Sequence, residues 1–169
     1  MAHSPGDGRN ALKAAVLTVS DAGSRGQRED TAGPAAVVLI EGAGFEVAET
    51  ALLPDEPDRV AAQLRAWADE QAVDLVLTVG GTGLSPRDRT PQATAAVIDY
   101  RAEGFEQAMR AAGLDSTPMA MLSRAVAGVR GSTLIINLPG SERGARENLE
   151  AVLPALAHAV EQLRDGGGH

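Results

Sequence analysis

Asp74–Thr90 reads DLVLTVGGTGLSPRDRT. Leu75–Val79 is an uncharged apolar and β-branched run, the pattern of a strand buried on both faces of a parallel sheet. It ends at Gly80, Gly81 and Gly83, where missing side chains let the backbone turn sharply. Pro91, one residue past Thr90, suits the first turn of a helix. Strand, glycine-rich loop and helix in that order are the repeating unit of an α/β fold. The successive amides of such a loop form an anion nest, and the following helix adds the positive end of its dipole.

Strand and helix patterns alternate outward from this unit. Ala14–Ser20 (AAVLTVS) is a second short buried strand. Thr31–Ala43 reads as a helix opened by Asp30 and Thr31 and stopped by Gly42 and Gly44. Phe45–Leu53 alternates in part and carries Glu46 and Glu49, which puts it nearer the sheet edge. After Pro54, the apolar residues Val60, Ala61, Leu64, Trp67 and Ala68 mark one helix face between Glu56 and Gln71. Further helices are expected over Thr90–Tyr100, Glu103–Ala112 and Met119–Val126, the last two split by Gly113 and Pro118. Thr133–Leu138 is a last buried strand. The closing helix presents Leu149, Val152, Leu153, Leu156, Val160 and Leu163 on one face and is expected to kink or restart at Pro154. This alternation argues a mostly parallel sheet with helices on both sides, in one domain over residues 13–164. Residues 1–12 and 165–169, glycine-rich and polar, read as flexible tails.

Composition narrows the function. Trp67, Tyr100, Phe45 and Phe105 are the only aromatics, so the core is built from Ala, Val, Leu and Ile, and stacking platforms for single-stranded nucleic acid are missing. A net charge of −8 repels phosphate backbones, which argues against a nucleic-acid partner. The absence of cysteine removes disulfides, thiolate nucleophiles and Cys-ligated zinc, and fits a reducing cytosol. His3, His158 and His169 have no metal-ligand spacing. No apolar run is long enough to span a membrane, and the N-terminus lacks a signal-like apolar region, so a cytoplasmic protein without membrane contact is expected.

In a sheet of this kind ligands sit at the carboxyl ends of the strands. Three such ends stand out: Ser20-Asp21, Gly80–Thr90 and Asn137–Ser141. In the middle one Gly80, Gly81 and Gly83 supply amides, Thr82 and Ser85 hydroxyls, and Arg87 and Arg89 charge. The bland alternative is a tight strand-to-helix turn capped by Thr90. Neither common nucleotide loop is present: Lys13 is the only lysine, so no Walker lysine exists, and Pro86 stands where the dinucleotide fingerprint needs glycine. Asp88 lies inside the anion loop, where its use would be to hold Mg²⁺ against phosphate oxygens; surface pairing with Arg87 or Arg89 is the alternative. Asp55 ends another strand and is also a good N-cap for a helix beginning at Glu56 or Pro57. Asn137, Pro139, Gly140 and Ser141 turn sharply into the closing helix, with Ser141 as its N-cap or with Gly140 and Ser141 amides offered to a ligand.

Ser20-Asp21 with Glu29-Asp30-Thr31 and Gly33-Pro34, then Leu53–Glu56 (LPDE), Thr78–Pro91 (TVGGTGLSPRDRTP) and Asn137–Gly140 (NLPG), taken in order, resemble the molybdopterin adenylyltransferase (MoaB/Mog) family of molybdenum-cofactor biosynthesis. The resemblance runs from about Ala14 to Leu163. It implies a three-layer αβα domain of the molybdopterin-binding type, commonly a homotrimer, that takes molybdopterin and ATP. Such a protein transfers AMP to the terminal phosphate of molybdopterin, releases pyrophosphate and hands the product to a separate molybdenum-inserting protein. The family's functional aspartates fall on Asp55 and Asp88, with Mg²⁺ as their expected ion and no redox cofactor. Its binding loops fall on Ser20, Asp21, Gly80, Gly81, Thr82, Gly83, Ser85, Arg87, Asn137, Pro139, Gly140 and Ser141. Other readings are a non-catalytic pterin carrier of the same family, a nucleotide pyrophosphate hydrolase like the N-terminal domain of a competence-damage protein, and an interaction scaffold.

Overall fold

The computed structural model of the protein describes residues 11–165. A six-stranded sheet in the order β2-β1-β3-β6-β5-β4 forms the middle layer. Its strands are β1 (Leu12–Val19), β2 (Phe45–Leu53), β3 (Leu75–Val79), β4 (Tyr100–Arg101), β5 (Ala127–Arg130) and β6 (Thr133–Leu138). β2, β1, β3 and β6 run parallel, while β4 and β5 add an antiparallel edge. The helices are α1 (Asp21–Ser24), α2 (Ala32–Gly42), α3 (Pro57–Arg65), α4 (Thr90–Val97), α5 (Glu103–Ser116) and α6 (Glu142–Arg164).

Period-two alternation in the central strands divides the core between the two faces. Ala14, Val16, Leu75, Leu77, Leu134 and Ile136 pack with α2, α5 and α6 through Ile40, Met109, Leu149 and Leu156. Ala15, Leu17, Val76 and Ile135 face the other way, against Val60 and Leu64 of α3, Trp67, and Val97 of α4. This is the three-layer arrangement expected from the sequence. β2, whose polar residues put it near the edge, is the edge strand on the parallel side of the sheet.

Several boundaries differ, each for a tertiary reason. Leu12 opens β1 instead of belonging to a tail; residues 1–10 and 166–169 of the two expected tails lie outside the described residues. The helix expected over Thr90–Tyr100 ends at Val97, because Tyr100 and Arg101 pair with β5. α5 runs through Gly113 to Ser116. A Cβ at Gly113 would lie 2.9 Å from Ala120 Cβ, so this glycine lets the following segment settle onto the helix. The helix expected over Met119–Val126 is a single 3₁₀ stretch, Pro118–Leu122, followed by extended chain into β5. Tight turning at Gly131 (φ 58°) then closes the β5–β6 hairpin. α6 continues past Pro154, which sits on its exposed side while Val152, Leu156 and Val160 are buried. Packing of that face outweighs the missing N–H, a defect of about 3 kcal/mol in an unsupported helix.

Candidate active site

β1 is followed by a helix on one sheet face, whereas β2 and β3 are followed by α3 and α4 on the other. The carboxyl ends of the adjacent strands β1 and β3 therefore flank the switch point where α/β sheets bind ligands. A cleft of about 450 Å³ opens there, lined by Ser20, Asp21, Asp55, Gly80, Gly81, Asp88, Gly140 and Ser141 among others. Asp21, Glu29, Asp30, Asp55 and Asp88 line it against one guanidinium, that of Arg28, so its wall is acidic.

Asp55 and Asp21 are locked reciprocally. The Asp21 amide donates to Asp55 Oδ2 at 3.0 Å and the Asp55 amide to Asp21 Oδ1 at 2.9 Å. This excludes the capping role for Asp55: Glu56 occupies the N-cap of α3 and makes no side-chain cap bond. Asp55 Oδ1 is buried with no partner among the described residues. Burial pushes the Asp55 carboxyl above the usual range; the Asp21 amide opposes this, and the charges of Asp21 and Asp88 add to it.

Asp21 goes the other way. Arg87 Nε and Nη2 grip both its oxygens at 2.9 Å. That hydrogen-bonded guanidinium, with the Asp55 amide, lowers the Asp21 pKa to about 2. The folded-state value lies below the unfolded one, so the pair's contribution is complete above pH ~4 and fades as pH falls towards 2. A ¹³C-carboxyl NMR titration should find Asp21 at about 2 in the wild type and higher in Arg87→Met, moved towards the ordinary carboxylate value while the Asp55 amide still holds it down. A midpoint left unchanged by that substitution would contradict the assigned cause.

The glycine loop is built around two left-handed residues, Gly80 (φ 105°) and Gly81 (φ 71°). A Cβ on Gly80 would meet the Val19 carbonyl oxygen at 2.3 Å, so the loop presses directly on β1. Asp88 Oδ2 accepts from the Ser85 amide at 3.2 Å. Surface pairing of Asp88 is not what the geometry shows, because Arg87 holds Asp21 and Arg89 Nε donates to the Pro86 carbonyl.

A second cleft of about 390 Å³ adjoins the first and shares Gly81, Asp88, Gly140 and Ser141 with it. Thr82, Gly83 and Pro139 line it, as do Met109, Met119 and Leu122, which give it an apolar side. Ser20 and Ser141 line the first cleft while their hydroxyls cap helices, accepting from the Gly23 and Gly144 amides. Asn137 lines neither cleft. It is fully buried, accepts from the Val126 amide and donates to Thr78 and Thr94, tying β6 to β3 and α4. Ser85 and Arg87 also stand outside both linings. The sequence reading missed Arg124, which donates to the carbonyls of Gly83 and Asp88. No local pattern marks it, since its partners are 41 and 36 residues away.

Residues 15–158 match the family model described as "Probable molybdopterin binding domain". The molybdopterin adenylyltransferase of Escherichia coli K12 is 40% identical over 154 residues, covering 89% of this chain and 78% of that protein. Gephyrin of Dictyostelium discoideum is 43% identical over 155 residues, covering 86% of this chain and 21% of that protein. The chain spans between 21% and 50% of the length of the first curated relatives it matches. Among solved structures, the molybdopterin biosynthesis enzyme MoaB of Thermus thermophilus superposes with a TM-score of 0.87 at 55% identity, over 91% of this chain and 97% of that one.

Proposed function

Because this chain belongs to the molybdopterin binding domain family, we propose that it is a molybdopterin adenylyltransferase of molybdenum-cofactor biosynthesis. The observation that carries this reading is the pair of adjoining clefts with a common wall at Gly81, Asp88, Gly140 and Ser141. Two substrates held side by side with their phosphates at that wall are arranged for direct transfer. The terminal phosphate oxygen of molybdopterin attacks the α-phosphorus of ATP. The α-phosphorus–oxygen bond to the β-phosphate breaks, and pyrophosphate leaves with that electron pair. The nucleophile is already anionic, so the protein's task is positioning and charge neutralisation rather than base catalysis. That suits a site without cysteine or histidine.

The donors fit Mg²⁺ brought with ATP. Among the described residues no group of three or more His, Cys, Asp or Glu is placed to form a metal cage. Mg²⁺ characteristically takes one or two carboxylates plus substrate phosphates and water. The unpartnered Asp55 Oδ1 and the Asp88 carboxylate are such donors, in a cleft too acidic to take triphosphate unaided. When bound there, the ion supplies the charge neutralisation that those carboxylates cannot. Ser20, Asp21 and the glycine amides border the phosphates, and Thr82 and Pro139 the second substrate. Assembly as a homotrimer, which the family resemblance implies, is part of the same proposal. No helix among the described residues is long and apolar enough to cross a membrane. Work in the cytoplasm and hand-over to a molybdenum-inserting protein belong to the same proposal.

Purified protein with molybdopterin, ATP and Mg²⁺ is expected to release pyrophosphate only when molybdopterin is present. Tight pterin binding with no pyrophosphate would establish a carrier instead. Nucleotide cleavage without pterin would establish a hydrolase.

A further inference from the structure

Arg124 has its reach spent entirely on main chain in the loop that carries Asp88. Its amide donates to the Thr82 carbonyl at 2.8 Å. Its Nε donates to the Gly83 carbonyl at 3.0 Å and its Nη2 to the Asp88 carbonyl at 2.6 Å. One residue thus ties down both ends of the Gly83–Asp88 segment. Two consequences follow from peptide geometry. The carbonyl and amide of one trans peptide point in opposite directions, so holding the Thr82 and Gly83 carbonyls towards Arg124 turns the Gly83 and Leu84 amides away from it. Fixing the Asp88 carbonyl also fixes the backbone from which the Asp88 side chain enters the wall shared by both clefts. A half-buried guanidinium bound to carbonyls leaves its positive charge uncancelled beside a loop that is to receive phosphate.

Arg124 also sits at a junction. It follows Ser123 and the Pro118–Leu122 turn, whose Met119, Ala120 and Leu122 line the second cleft. The Ser123 carbonyl is itself held by Arg110 of α5 at 3.2 Å, and Arg110 lines that cleft too. A ligand seated against this turn therefore bears on the residue that anchors the Asp88 loop.

We propose that Arg124 is a positioning residue for adenylyl transfer: it sets the Asp88 carboxylate and the outward loop amides, and it couples occupancy of the second cleft to that loop. This rests on the adenylyl-transferase reading above.

The test uses Arg124→Met and Arg124→Lys in the full chain, with two independent readouts. The first is steady-state pyrophosphate release. In Arg124→Met kcat is expected to fall about 100-fold, with KM for ATP changed less than about threefold. Arg124→Lys, which keeps the charge but loses the two-pronged grip, is expected to fall between Met and wild type. The second readout is amide hydrogen exchange without substrates. Exchange over residues 83–89 should quicken about tenfold or more, while Leu75–Val79 stays as protected as in the wild type. If the Met variant also exposes β3, the same comparison on the Lys variant decides. A kcat within about twofold of wild type, or loop exchange unchanged, overturns the proposal. Should the wild type release no pyrophosphate, the adenylyl-transfer reading falls, while the exchange arm still decides whether Arg124 clamps the loop.

Discussion

Asp55→Asn is expected to slow pyrophosphate release by about 10²–10³-fold while leaving the folded protein at least as stable as wild type at pH 7. The two effects have one origin. Asp55 Oδ2 is satisfied by the Asp21 amide, but Oδ1 is buried without a partner, so the carboxylate carries charge where the fold does not reward it. Asparagine retains an oxygen for the Asp21 amide and puts an NH₂ group where Oδ1 stood. The side-chain amide carries no charge, so its burial costs less than that of the carboxylate. Relief of the buried charge is worth up to about 1 kcal/mol after allowance for solvent reaching the cleft, or about 2–4 °C in Tm for a chain of this length.

The pH dependence separates this account from a generic one. Burial raises the folded-state pKa of Asp55 above its unfolded value. The folded state therefore holds the proton more tightly, and wild-type stability declines as pH rises from the unfolded pKa through the folded one. Below the unfolded pKa Asp55 is neutral in both states. The stability advantage of Asp55→Asn should accordingly be full above the folded-state pKa, shrink as pH falls from there towards the unfolded value of about 4, and vanish below it. Urea unfolding at several pH values with EDTA present, beside turnover with saturating Mg²⁺, measures both. A variant with normal turnover removes Asp55 from the chemistry. One that is less stable at pH 7 contradicts the strained carboxylate.

What could be read from the sequence was what lies close along the chain. The strand–glycine–helix unit at Leu75–Val97, the Ser141 cap of α6 and the placing of Asp88 within the glycine-rich loop are all settled within a few residues, by burial pattern, missing side chains and helix-end chemistry. The reciprocal Asp21–Asp55 lock joins residues 34 apart, and the Arg87–Asp21 pair spans 66. No local signal announces either. Asp55 therefore looked as much like a helix cap as a functional acid, and Arg87 like a free cation. The misread breakers carry the same lesson in reverse. Gly113 and Pro154 have strong local meanings, yet α5 and α6 run through both, because Gly113 makes room for Ala120 and Pro154 faces solvent. The place of Asn137 in the Asn-Leu-Pro-Gly turn suggests a ligand contact; its side chain instead bonds Val126, Thr78 of β3 and Thr94 of α4 in the interior.

Gly81→Ala is expected to destabilise the protein by about 2–4 kcal/mol and to reduce turnover about 100-fold in whatever fraction remains folded. Two separate penalties meet at this residue. Its φ of 71° is left-handed, which costs an alanine about 1–2 kcal/mol. Its added Cβ would lie 2.2 Å from Thr90 Oγ1 and 3.0 Å from Asp55 Oδ1. Those two oxygens therefore lie within about 5 Å of one another, converging on the bare Cα of Gly81. Thr90 is buried at the first turn of α4, and its own amide donates to the Gly81 carbonyl at 3.2 Å, so it cannot simply swing away. The loop must rise instead, carrying Asp88 and the shared wall with it. A double-mutant cycle with Thr90→Ala separates the causes. Removing the hydroxyl abolishes the closest overlap, so Gly81→Ala/Thr90→Ala should recover about half of the lost stability while the left-handed backbone keeps the rest. Recovery of stability without recovery of rate places the bare Cα of Gly81 itself at the reacting phosphates. Recovery of both shows that the loop's height over β1 and α4 was all that Gly81 supplied. A single variant that loses under about 0.5 kcal/mol and keeps its rate would show that this notch is neither strained nor part of the site.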